Sequence, residues 1–529
     1  MPGGSCWNRS RRSSSAPLAL SSNWRASLSS AARSLRMKNW SAAFWLSLTN
    51  WCRKARSPAC PTRPRRWAAA SSARAAGCAP NASASTGWSS IGASTAEPIS
   101  SLQPLVNAQR KFTLACFTVV ILVTACLLTV LCGAGGLTWW ATTRPTSTPD
   151  PETTARHLRV FTELWEIVRD DYLYPDHNGA DWDAIGQEYR ARVQAGLADE
   201  EFWLAMDKML VELGDDHSVF LSPADVADEE QARAGEMEYV GIGVYAVGLP
   251  EKGYSVVLLA LPNSPAARAG ILPHDHILAI DGLPACCDEF GYDYLDRLLG
   301  PKGSQVELRV QTPGQSPRAV TATRALIREP LPVEARRLEG NIGYILIPTL
   351  WDETVVGRVR EGLETLSAEG ELAGLVLDMR INGGGSDTVL EGLLAFFADG
   401  KLGRYIGSWG EEPLRVEGID VEGSQQTPLV ILVGSETASF AEIFSGVLAE
   451  AGRARIVGRT TPGNVEITYS YDFEDGSRAW IAQESFLPPS GADWEETGIV
   501  PDVEIPLDWD EFTVENDPQL EAALDLLRP

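Results

Sequence analysis

Pro428-Leu429-Val430-Ile431-Leu432-Val433 followed by Gly434-Ser435-Glu436-Thr437-Ala438-Ser439-Phe440-Ala441-Glu442 reads as a buried strand, a tight loop and the start of a helix. Six apolar residues without polar alternation suit a strand covered on both faces, which is the habit of parallel sheets. Ala438 to Ala451 continues with helical spacing. Ser439 therefore stands where a strand-to-helix loop feeds a helix N-terminus. A serine there acts either as a cap or, with its oxygen near the positive end of the helix, as a nucleophile.

The same strand–loop–helix pattern lies upstream. Ile342 to Ile347 and Gly374 to Arg380 are further apolar strands, while Val355 to Leu366 and Leu390 to Phe397 have helical periodicity. Alternation of this kind predicts an α/β layer with its site at the carboxyl ends of the strands. The second strand runs into Asn382-Gly383-Gly384-Gly385. Glycines let backbone amides come close to a ligand, so this loop and the Ser439 loop together offer a nucleophile and an oxyanion hole. Neither a G-x-S-x-G elbow nor a phosphate-binding G-x-x-x-x-G-K-[ST] loop is present.

Three helices are expected before this core: one from His157, one over 183–195 and one over 200–213. They end in Gly214-Asp215-Asp216-His217-Ser218. Residues 237–326 read as short strands with one or two helices. Ser264-Pro265 opens a short helix that Gly270 closes. The block resembles a PDZ domain, whose carboxylate-receiving loop would correspond to Gly241-Ile242-Gly243-Val244. An extended peptide would then add to the sheet edge.

The order of motifs is more specific. A helical segment ends in Asp-Asp-His-Ser and the PDZ-like block follows. Next come Asp378-Met379-Arg380-Ile381-Asn382-Gly383-Gly384-Gly385, then Ser435-Glu436-Thr437-Ala438-Ser439-Phe440-Ala441-Glu442-Ile443. Ile456 to Gly463 and Gly498-Ile499-Val500-Pro501-Asp502 complete the series. Over about residues 155–510 the chain resembles the C-terminal processing (tail-specific) serine peptidases, a family that includes the tricorn core. The resemblance implies an α/β peptidase core (ClpP/crotonase-like) over 330–510, an inserted mainly-β PDZ domain over 237–326 and an N-terminal helical cap over 155–232. A C-terminal tail is left at 511–529. It also implies a polypeptide substrate, held at an exposed C-terminus by the PDZ domain, and neither metal nor other cofactor.

Carried over position by position, Ser439 matches the nucleophile, and the backbone amides of Gly384 and Phe440 match the oxyanion donors. The family's usual base is a lysine in a Thr-Phe-Gly-Lys-Gly segment. The matching segment here is Thr461-Pro462-Gly463-Asn464-Val465, and no lysine follows Lys401. An amide at Asn464 cannot accept a proton near neutral pH. The tricorn-like branch instead uses a histidine from the cap, oriented by a glutamate late in the core, and His217 and Glu495 occupy those positions. An imidazole titrates near working pH and can take the serine proton and return it to a leaving amine. Ser218, next to His217, is an adjacent candidate. Loss of the lysine is the main support for the alternative, a catalytically inactive, peptide-binding scaffold of the same fold. Asp378 and Arg380 read as braces of the oxyanion turn, and His274 and His276 as a solvated pair.

Charge divides the chain. Residues up to Lys111 carry 16 Lys+Arg and one acid, Glu97, whereas the rest carries 29 basic and 69 acidic residues. So acidic a body repels phosphate, which sets nucleic-acid binding aside. Residues 1–105 lack a sustained period and read as an unstructured or mis-annotated extension. Phe112 to Leu137 is an uncharged apolar run preceded by Arg110 and Lys111. Its length suits a transmembrane signal anchor over 112–137, with the body on the extracytoplasmic side of the cell membrane. Residues 138–154 form a Pro/Thr-rich linker. A single spanning segment excludes a channel or transporter. The adjacent Cys286 and Cys287 are not expected to bridge each other, and no zinc spacing is seen.

Overall fold

The computed structural model describes residues 150–215, 217–287 and 294–528. The segments read as N-terminal extension (1–105), membrane anchor (112–137) and most of the linker lie outside them. Among the described residues no helix is long and apolar enough to cross a membrane.

Six strands form the central sheet, in the order Glu334–Leu338, Ile342–Leu346, Gly374–Asp378, Leu429–Val433, Ala454–Gly458 and Val503–Glu504. The first pair is antiparallel and every later pairing is parallel. Every residue of the Ile342, Gly374 and Leu429 strands is buried, as their unbroken apolar runs require. Helices Val355–Ser367, Asp387–Phe397 and Phe440–Glu450 cover one face. Phe397 and Phe444 meet edge-to-face there, with centroids 6.2 Å apart.

The other face is covered by the PDZ block and by helix Pro518–Leu527. The PDZ sheet runs Val244–Leu249, Tyr254–Ala260, His276–Ile280, Gln305–Gln311, Arg318–Thr323, all antiparallel. Tyr239–Gly241 and Ala325–Ile327 pair where the chain enters and leaves the block. Three helices, Pro151–Asp171, Trp182–Gln194 and Asp199–Val211, form the cap. The strand after them, Val219–Leu221, pairs antiparallel with Arg478–Leu487 of a separate core sheet and so delivers His217 to the core.

Three expectations change. The segment expected as a C-terminal tail carries helix Pro518–Leu527: Ala523 is fully buried, and Asp517 bonds Arg380 behind the oxyanion turn. His274 and His276 are not a solvated pair. His274 is 3% exposed, stacks on Trp509 at 4.1 Å and contacts its carbonyl through Nδ1 at 2.7 Å. His276 reaches the Asp510 carbonyl through Nε2 at 2.8 Å. Both rings sit where the PDZ sheet meets segment 508–512, a contact between parts of the chain more than 200 residues apart and invisible to local pattern. Finally, the sulfurs of Cys286 and Cys287 are joined, with Cα atoms 3.3 Å apart.

Candidate active site

The parallel strands place two loops side by side. Leu375–Asp378 pairs in register with Leu429–Leu432, so the turns that follow the two strands leave the sheet together. Thr437 ties them: its hydroxyl donates to the Met379 carbonyl at 2.9 Å, and Ala438 N–H donates to the Asn382 carbonyl at 3.1 Å. Gly384 has φ +94°, and a Cβ built there would stand 2.7 Å from Ser439 Cβ and 2.9 Å from the Ala438 carbonyl. Only glycine fits this turn.

Ser439 itself has φ 56° and ψ −129°, a conformation non-glycine residues rarely adopt. Glu442 holds it there, accepting the Ser439 N–H at 3.1 Å. The same carboxylate accepts the Thr461 hydroxyl at 2.5 Å and the amides of Gly463 and Asn464 at 2.8 Å each. Burial pushes its pKa up to about 7 against these hydrogen bonds. Glu442 thus fixes the nucleophile and the loop carrying Asn464 at once. Ser439 makes no side-chain cap bond, so its hydroxyl is left for chemistry.

Of the matched oxyanion donors, Phe440 N–H has no hydrogen bond among the described residues, whereas Gly384 N–H donates to Asn382 Oδ1 at 2.9 Å. An oxyanion would have to displace that amide side chain to use Gly384. Behind the turn, buried Arg380 is held by Asp378 and Asp517 at 2.6 and 2.8 Å, and Tyr344 donates to Asp378 at 2.8 Å. This is the bracing expected of Asp378 and Arg380.

His217 and Ser439 line one cavity of about 260 Å³, together with Gly383 to Gly385, Asn464 and Glu466. The cavity continues to Ile242, Gly243 and Val244 of the PDZ block, joining the expected peptide-binding loop to the nucleophile. No hydrogen bond links Ser439 Oγ to His217 among the described residues. The His217 ring faces carboxylates instead: Nε2 is 3.6 Å from Glu466 Oε2 and 3.7 Å from Glu495 Oε1. These side chains are 5%, 4% and 17% exposed, respectively for His217, Glu466 and Glu495. Burial favours the neutral ring, but Glu495, Glu466 and Asp215 outweigh it, and the His217 pKa is pushed up to about 9. Glu495 is fixed by Val465 N–H at 2.9 Å. One atom from each of the three side chains lies within 4.8 Å of the others, a spacing also open to a cation.

Ser218 does not join the group. Its hydroxyl donates to Asp215 at 3.0 Å and accepts from Ala482 N–H at 3.2 Å, so it anchors the loop beneath His217. Glu466 was missed by motif matching because the family pattern stops at the lysine position. The available signal was its place two residues beyond Asn464, with which it lines the cavity.

A serine hydroxyl at a strained strand-to-helix turn, an open amide beside it and a histidine with a carboxylate lining the same cavity are the parts a serine-type peptidase site would use. Residues 341–505 match the family described as Peptidase family S41, residues 154–211 the Tricorn protease C1 domain and residues 256–312 the PDZ domain. The chain is 30% identical over 403 residues to the carboxyl-terminal-processing protease of Synechocystis, covering 72% of this chain and 89% of that protein. It is 32% identical over 363 residues to chloroplastic carboxyl-terminal-processing peptidase 2 of Arabidopsis thaliana, covering 66% and 68%. The solved photosystem II D1 C-terminal processing protease superposes with a TM-score of 0.50 at 28% identity, covering 66% of this chain and 93% of that one. The chain belongs to the carboxyl-terminal-processing proteases of peptidase family S41 and is a serine-type hydrolase.

Proposed function

We propose that this chain is a membrane-anchored endopeptidase that captures polypeptides by their C-termini and cleaves them with Ser439, His217 and Glu495. The carrying observation is that one cavity is lined by Ser439 and His217 and also by Gly243 and Val244. Ser439 Oγ bonds to the scissile carbonyl carbon as His217 takes its proton. The imidazolium then returns that proton to the amine as the C–N bond breaks, and water repeats the sequence on the acyl-enzyme. Phe440 N–H, joined by Gly384 N–H once it leaves Asn382, receives the oxyanion. Glu495 orients the imidazole. The run 112–137 anchors the chain in the cell membrane, and the acidic body lies on the extracytoplasmic side.

The test is labelling of the purified full-length chain with a fluorophosphonate, alongside Ser439→Ala and His217→Ala. Labelling and cleavage of an unfolded protein by the wild type alone are expected. No labelling and no cleavage by the wild type would favour an inactive peptide-binding scaffold. Activity that survives His217→Ala would remove the histidine from its role and leave the nucleophile standing.

A further inference from the structure

The cavity wall that carries Asn464 also carries Glu466, to which no motif assigns a role. Its carboxylate is nearly fully buried, and buried carboxylates persist only with strong partners. Oε1 accepts the Tyr174 hydroxyl. Oε2 has no hydrogen bond and points at His217 Nε2, 3.6 Å away, which likewise has none. Two buried polar atoms thus face each other just beyond hydrogen-bond distance. Glu495 approaches the same nitrogen from another segment at nearly the same distance, 3.7 Å.

We propose that Glu466 is a second positioning carboxylate for His217, one that works with Glu495 and depends on the absence of a lysine at position 464. The inference rests on the reading of His217 as the base for Ser439. A lysine at 464 would bring an ammonium to the same wall and compete with His217 for the carboxylates. Asn464 carries no charge, so His217 alone receives both.

The groups facing this cluster come from each packed element: Tyr172 and Tyr174 after the first cap helix, Asp215 before His217, Glu466, and Glu495 with Asp493 nearby. Tyr172 donates to Asp215 at 2.5 Å. Every charge among them except that of His217 is negative. Burial pushes Glu466 up to about 7, with His217 pulling the other way. The carboxylates favour the protonated ring and so stabilise the imidazolium that forms as the serine attacks.

The experiment is the titration of His217 in full-length Ser439→Ala protein with isotope-labelled histidine, followed by NMR. Only five histidines are present, which makes the signals separable. It is paired with the pH profile of kcat/KM in the otherwise wild-type enzyme. With Glu466→Gln, the His217 midpoint and the acid limb of the profile should both move to lower pH, by about 1–3 pH units. Tyr174→Phe removes the hydrogen bond that favours ionised Glu466 and should move both in the same direction by less; it also serves if Glu466→Gln fails to fold. Folded variants in which both midpoints stay in place would overturn the proposal. A midpoint that shifts on Glu466→Gln, together with an absence of peptidase activity in the wild type, would keep Glu466 as the partner of His217 and remove the peptidase reading instead.

Discussion

Glu442 reaches back one turn to accept the Ser439 N–H at 3.1 Å, and that bond holds the candidate nucleophile in a left-handed conformation at φ 56°. Because the carboxylate also gathers Thr461, Gly463 and Asn464, one buried side chain sets the distance between the serine and the opposite wall. Glu442→Ala leaves four donors unpaired, and each buried unpaired donor costs about 1–3 kcal/mol. Loss of several kcal/mol in urea unfolding, together with a large fall in kcat, is the expected result. Wild-type stability in this variant would show that the loop is held by something else.

At the oxyanion turn, Gly384→Ala places a methyl group against Ser439 Cβ and the Ala438 carbonyl at a φ of +94°. At least a 100-fold fall in kcat is expected, the scale of losing one oxyanion donor, which is roughly 10²–10³. Active-site titration with the fluorophosphonate separates this loss from a loss of folded protein.

For Ser439→Ala and His217→Ala, peptidase kcat should fall by on the order of 10⁴–10⁶, and the double variant should be no worse than either single one. Equal and non-additive losses identify two residues acting as one unit. A clearly additive double variant would contradict that.

Stability should also depend on pH through His274. Burial drives its pKa down to about 4 from the model-compound 6.5, against the pull of the Trp509 carbonyl. The unfolded chain binds the proton more readily, so the stabilising effect is complete above about 6.5. It is lost as pH falls from about 6.5 to about 4, by on the order of 3 kcal/mol. Urea midpoints measured across that range should fall with pH in the wild type, and the slope should flatten in His274→Gln. The PDZ block should loosen first, because the ring lies between that block and segment 508–512.

Much of the architecture was legible because strong local signals agreed with the global fold. Unbroken apolar runs at Ile342, Gly374 and Leu429 announced the buried parallel strands. Ser264-Pro265 marked its short helix to the residue. The Ser439 and Gly384 loops were legible as turns after two buried strands, and their side-by-side placement comes from the pairing of those strands. What escaped depended on chain-distant contacts. His274 reads as a surface histidine until Trp509 covers it. Gly384 N–H matches an oxyanion donor by position, yet its engagement by Asn382 is a matter of side-chain geometry. Ser218 stands beside His217 in sequence, but its hydroxyl is spent on Asp215 and Ala482. Glu466 lay outside any motif because the family pattern stops at the lysine position, which Asn464 fills here.

Arg380 waits 137 residues along the chain for Asp517, its second carboxylate partner. Removing one member of such a buried ion pair costs about 3–5 kcal/mol. The histidine, the glycine loop and the serine are therefore made before the turn behind them is electrically complete, and the braced turn forms only once Asp517 and the helix Pro518–Leu527 that it caps have been added to the chain.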